Sequence, residues 1–112
     1  MNETLEGDLR LLHSEIQTGL GDPHRLLILF RLATGPKTID QLARSLDLDQ
    51  ASVARHVQIL RQSGLVLASA FRGETRYEVS DDRVPEALVL LRGALRDRLV
   101  RREAMADTLS VH

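Results

Sequence analysis

Cysteine is missing from this 112-residue chain, which excludes disulfides, thiolate metal sites and thiol redox switches. Aromatic side chains are nearly missing: Phe30, Phe71 and Tyr77 are the only three. The core must therefore be assembled from Leu, Val, Ile and Ala, within an apolar fraction of 43%. No apolar run approaches the ~20 residues needed to span a bilayer. Residues 1–10 are acidic and lack the basic-then-apolar layout of a signal peptide, so a cytoplasmic protein is expected. There is no glycine-rich phosphate loop and no thiol nucleophile. Ser45 and Ser52 fall in helical patterns with no His–acid partnership, so catalysis is not expected.

Net positive charge is also missing: the formal total is −1. The charges are segregated, however. Residues 1–22 carry Glu3, Glu6, Asp8, Glu15 and Asp22 against Arg10 alone, a net of −4. Residues 50–77 carry Arg55, Arg61, Arg72 and Arg76 against Glu74, a net of +3. A nucleic-acid contact needs a local basic surface rather than a basic whole, and the second segment supplies one. Fourteen of the fifteen basic residues are Arg, whose planar fork suits phosphates and guanine edges.

What is present is helical periodicity interrupted by turn chemistry. Leu5, Leu9, Leu12, Ile16 and Leu20 form one apolar stripe over residues 3–20. Asp22-Pro23 is a cap followed by a first-position proline. Leu26, Leu27, Leu29, Phe30 and Leu32 nearly surround the helix that follows, so it is expected to be central and buried. Thr38 and Gln41 have capping-box spacing and open a short helix burying Ile39, Leu42, Ala43 and Leu46. Leu48 anchors the turn Asp47-Leu48-Asp49. Asp49 then caps a helix carrying Val53, Val57, Ile59 and Leu60, which stops at Gly64. Residues 65–71 and 75–80 have strand composition about the loop Arg72-Gly73-Glu74, a hairpin signal. Asp81-Asp82 and Pro85 open a final helix with the stripe Leu88, Leu91, Leu95 and Leu99.

The chain is thus expected to be a mainly α domain over residues 1–112 with a small β-hairpin, in the order α1-α2-α3-α4-β1-β2-α5. Residues 38–63 have the spacing of a helix-turn-helix, whose second helix enters the major groove, and residues 65–80 form a wing. Val53, Val57 and Leu60 would hold that second helix, leaving Gln50, Ala51, Ala54, Arg55 and Gln58 outward. An amide can pair with adenine, Arg with guanine, and a methyl can pack on thymine. Ser52 and His56 are added as base or phosphate partners. Arg72 and Arg76 would meet the backbone from the wing, making binding salt-dependent. The stripes of helices 3–20 and 84–106 flank an already complete module. Burying them against a second copy gives a two-fold homodimer that reads a palindrome. The competing reading is a winged helix that binds only proteins.

Three segments resemble the ArsR/SmtB-type regulators. The first is Leu20-Gly21-Asp22-Pro23-His24-Arg25-Leu26-Leu27-Ile28-Leu29. The second runs from Gln41-Leu42-Ala43 to Asp49-Gln50-Ala51-Ser52-Val53-Ala54-Arg55-His56-Val57 and Leu60-Arg61-Gln62-Ser63-Gly64-Leu65-Val66. The third is Arg72-Gly73 with Tyr77. The resemblance covers about residues 20–80. It implies a dimer joined by its first and last helices, and a repressor whose DNA affinity changes when an effector binds. Ala51 and Ala54 replace serines common in that family. Thr38 and Asp40 stand where a Cys-x-Cys metal pair would be. Of the zinc set on the last helix Asp81 is matched, but Arg83 replaces the first His and none follows before His112.

His24, in the first turn of its helix, reads as a local hydrogen-bonding group, His13 as a surface residue and His112 as a solvated terminus. A metal site remains open between subunits, from His13, a second His and a carboxylate. Nitrogen and oxygen ligands suit nickel, cobalt or zinc. A small organic effector or a partner regulator protein are the alternatives.

Overall fold

The computed structural model describes residues 2–110, with side chains for residues 4–105. Its elements are α1 (Asn2–Gly19), α2 (Pro23–Leu32), α3 (Ile39–Leu46), α4 (Gln50–Gln62), β1 (Val66–Phe71), β2 (Glu74–Val79) and α5 (Arg83–Ser110). This is the expected winged-helix order. His112 lies outside the described residues. The chain up to Asp82 packs as one compact unit and α5 is a second unit by itself. No helix among the described residues is long and apolar enough to cross a membrane.

Local chemistry sets the helix boundaries. Asp22 is extended, and its Oδ1 accepts the His24 backbone N–H at 2.8 Å, with Pro23 beginning α2. At α3 the capping box is complete. Thr38 Oγ1 accepts the Gln41 N–H at 3.1 Å, and Gln41 Oε1 accepts the Thr38 N–H at 2.9 Å. These bonds satisfy donors that the first helical turn leaves orphaned. Asp47, at φ 54°, turns the chain out of α3, and the Leu48 N–H returns to the Ala43 carbonyl at 3.0 Å. Gly64 ends α4 at φ 76°; its N–H bonds Arg61 O at 3.0 Å and the Leu65 N–H bonds Leu60 O at 2.9 Å. That pair of bonds is a Schellman motif, which needs the left-handed residue glycine supplies.

The core is aliphatic, as the composition requires. Ile28, Leu29 and Leu32 of α2 meet Leu42 and Ala43 of α3, Val53, Val57 and Leu60 of α4, and Val66 at the head of β1, all buried. Helix α2 is not enclosed on every side, because Leu27 is 43% exposed. The stripe on α1 is left open, with Leu5, Leu9, Leu12 and Ile16 all exposed.

The hairpin is antiparallel, from Val66 opposite Val79 to Phe71 opposite Glu74. Glu74 therefore belongs to β2, and the loop is the two residues Arg72 and Gly73. Their φ values, 51° and 82°, are the two positive angles of a type I′ turn, whose twist matches the flanking strands. Lys37 ties the wing to the segment before α3. Its N–H bonds Tyr77 O at 2.9 Å, and its carbonyl accepts from Tyr77 N–H at 2.8 Å.

Candidate nucleic-acid interface

Helix α4 has two faces. Val53, His56, Val57 and Leu60 are buried; at steps of three, one and three, they make one continuous stripe. Gln50, Ala51, Ala54, Arg55, Gln58 and Arg61 are exposed around the rest. The outward set is the one its spacing predicts, but the two residues added to it as base or phosphate partners, Ser52 and His56, are not exposed. His56 does not face a duplex: it is 6% exposed, because it lies three residues after Val53 and four before Leu60 and so shares their inward stripe.

The cap fixes how α4 starts. Asp49 Oδ2 accepts the Ser52 backbone N–H at 2.9 Å, and Oδ1 accepts the Ser52 hydroxyl at 2.7 Å. The Ser52 hydroxyl bond, then its backbone N–H bond, hold the Asp49 carboxyl below its usual range. Half-buried Ser52 is thus part of the cap, with its hydroxyl proton already committed. Gln50 is held as well, since its Nε2 donates to Asp40 Oδ1 at 2.9 Å. Asp40 also pairs with Arg44 at 3.1 Å along α3. The Gln50 amide oxygen keeps its capacity to accept, and the second hydrogen on Nε2 keeps its capacity to donate. Arg55, which has no hydrogen-bond or ion-pair partner among the described residues, is a strong hydrogen-bond donor on the exposed face.

At the wing tip the two expected arginines converge on Phe71, an aromatic that sequence reading did not assign to the site. The Arg76 guanidinium carbon lies 4.2 Å from the ring centroid and that of Arg72 lies 5.2 Å away. The register explains the closer contact. Ser69 opposes Arg76 and Phe71 opposes Glu74, so Phe71 and Arg76 are diagonal neighbours on one face of the hairpin. A cation over a ring face is attracted by the ring quadrupole. The contact holds the half-buried Arg76, whose Nε is buried without a hydrogen-bond partner. The exposed Arg72 remains at the turn.

Behind α4 lies a second polar group. Arg25 Nε donates to the Gly19 carbonyl at 2.8 Å, and its Nη1 reaches His56 Nδ1 at 3.3 Å. Since guanidinium only donates, Nδ1 is the acceptor. Burial, the largest influence, pushes the His56 pKa down against the pull of the Asp22 carboxylate, which favours the neutral ring. The His24 ring lies 5.5 Å from that of His56, and its Nδ1 is 3.5 Å from Asp22 Oδ1. The His24 backbone bond is the main reason the Asp22 pKa is lowered. One donor atom each from Asp22, His24 and His56 lie within 4.8 Å of one another. No other such trio occurs among the described residues. His13 is exposed on α1 and does not belong to it.

Comparison with known proteins agrees with this architecture. Residues 22–67 match the model of the family described as bacterial regulatory protein, arsR family. The chain is 32% identical over 69 residues to the HTH-type transcriptional regulator NmtR of Mycobacterium tuberculosis, covering 62% of this chain and 58% of that one. It is 35% identical to the structure titled as the cadmium metal-sensor CMTR of M. tuberculosis, with a TM-score of 0.61, covering 70% of this chain and 81% of that one. The homodimeric winged helix-turn-helix DNA-binding domain of Mb0332 from Mycobacterium bovis shares the fold. Its TM-score is 0.73 at 21% identity, with 84% of this chain and 86% of that one covered. This chain has no cysteine and so offers a metal no thiolate. Helix-turn-helix, Phe71-backed wing and sequence similarity converge: the chain belongs to the arsR family of bacterial regulatory proteins.

Proposed function

We propose that residues 1–112 act as one winged-helix domain that binds promoter DNA in the cytoplasm as a homodimeric transcriptional repressor. Residues 38–63 serve as the helix-turn-helix and residues 65–80 as the wing. The observation that carries the proposal is the outward face of α4, where Gln50, Ala51, Ala54, Arg55 and Gln58 are exposed opposite a stripe fully committed to the core. With α4 in the major groove, Arg55 donates to a guanine edge, the alanine methyls pack on thymine, and Gln58 pairs with adenine. Arg72 and Arg76 bind phosphates, which position the domain without reading sequence.

The dimer is supported by exposed apolar surface. Leu5, Leu9, Leu12 and Ile16 line α1, each between 44% and 57% exposed. On α5, Leu88 is half-buried, and Leu91, Leu95 and Leu99 are exposed. The Mb0332 domain is described as homodimeric. A two-fold pair presents two recognition helices and so reads a palindromic site. The effector is a divalent metal: a relative is titled a metal sensor. The histidine and carboxylate donors of this chain fit nickel, cobalt or zinc better than a thiophilic metal.

The test is fluorescence anisotropy with duplexes from the region upstream of the protein's own coding sequence. Arg55→Ala should weaken binding by ~1–3 kcal/mol and relax preference at one base position of each half-site. Unchanged affinity and unchanged base preference in Arg55→Ala would refute the placement of α4 in the groove.

A further inference from the structure

We propose that Asp22, His24 and His56 form a divalent-cation site that joins the start of α2 to the buried face of the recognition helix. The inference rests on the metal-effector reading above and gives it a location. The three donors come from the cap of α2, its first turn and the middle of α4, so they meet only in the folded chain.

The spacing is close to what an ion requires. Ligands ~2.1 Å from a tetrahedral centre lie about 3.4 Å apart. His24 Nδ1 and Asp22 Oδ1 are already 3.5 Å apart, and the three donor atoms all lie within 4.8 Å of one another. His24 is free to close the difference, since its side chain is 48% exposed. Asp22 Oδ1 is engaged by the His24 N–H, and a carboxylate oxygen that accepts one hydrogen bond keeps a lone pair for a cation. The His56 ring is buried and anchored on α4, which gives the site one rigid ligand. Two imidazoles and one carboxylate suit zinc, nickel or cobalt, with water completing the coordination.

Arg25 is the competitor. A neutral imidazole has one ring lone pair, and Arg25 Nη1 holds that of His56 Nδ1 at 3.3 Å. A cation bound through Nδ1 takes this lone pair directly. Binding through Nε2 moves the ring proton to Nδ1, which then faces a donor. Either route breaks the Arg25–His56 contact, and the guanidinium charge repels the ion. Arg25 retains its bond to the Gly19 carbonyl. Occupancy therefore exchanges one tether on α4 for another, and Arg25 keeps the affinity moderate.

The experiment is calorimetric titration of the metal-free full chain, without DNA, with zinc, nickel and cobalt chlorides. Cobalt binding is followed in parallel by its visible absorption. One equivalent per chain is expected for at least one metal. Asp22→Asn keeps a competent helix cap and His24→Gln alters an exposed side chain, so both variants should fold. Each should weaken binding by about 10-fold or more, Arg25→Gln should tighten it, and His13→Gln should leave it unchanged. Wild-type affinity in both Asp22→Asn and His24→Gln, or no micromolar site for any of the three metals, would overturn the proposal. Anisotropy on the metal-free protein tests the DNA reading separately: loss of DNA binding there removes the function without touching the site.

Discussion

Replacing Arg72 by Asn separates what the wing tip does for stability from what it does for binding. Arg72 has φ 51° at the first central position of the turn. A side chain in the left-handed region costs an ordinary residue ~1–2 kcal/mol. Asn tolerates that region, and Asn-Gly is the favoured dipeptide of a type I′ turn, so the substitution should recover ~0.5–1 kcal/mol. Against this stands the exposed contact of Arg72 with Phe71 at 5.2 Å, worth about 0.5 kcal/mol. The net is a stabilisation of roughly 0–0.5 kcal/mol, a Tm rise of no more than about 3 °C. Binding should move the other way. Each lost phosphate contact lowers the slope of log K against log salt by about 1, so a dimer should lose about 2. Thermal denaturation by circular dichroism gives the first number, and anisotropy at several salt concentrations the second. A variant that melts several degrees lower while keeping the wild-type salt slope would show that Arg72 holds the hairpin together and does not touch DNA.

Other outcomes follow from the core and the caps. Leu60→Ala removes a fully buried side chain and should cost ~2–5 kcal/mol by denaturant unfolding. DNA affinity should fall only as far as the folded fraction does. The Asp49 carboxyl has a lowered pKa from the Ser52 hydrogen bonds. Its cap therefore contributes fully above the unfolded-state value of about 3.9, and the contribution is lost as pH falls through the folded pKa. Asp49→Asn keeps a cap that cannot titrate, so Tm should decline less steeply than wild type below about pH 4; parallel declines would contradict the cap's role.

How far the sequence revealed the site depends on whether the information was local. Caps, turns and helix periodicity are local, and Asp22-Pro23, Thr38 with Gln41, Asp49 and Gly64 each mark a boundary the structure reproduces. The outward face of α4 was legible because Val53, Val57 and Leu60 define its opposite. His56 was misplaced because a polar residue type was given more weight than its position three after Val53 and four before Leu60. The Phe71 platform depended on a hairpin loop one residue shorter than expected, with Glu74 inside β2. The Asp22–His24–His56 group was not legible at all. Residue 56 is far from residues 22 and 24 in sequence, and only the packing of α4 on α2 unites them. His24 suggested only a local hydrogen bond; the 2.8 Å bond there is made by its backbone N–H, and its ring Nδ1 lies 3.5 Å from Asp22 Oδ1.

The most direct test of the account is to add an operator duplex to isotopically labelled protein and follow the amide resonances by NMR. The account predicts perturbations concentrated on Gln50, Ala51, Ala54, Arg55 and Gln58 and at the wing turn of Arg72 and Gly73, reversed by added salt. Perturbations confined to other surfaces, with those residues silent at saturation, would contradict it.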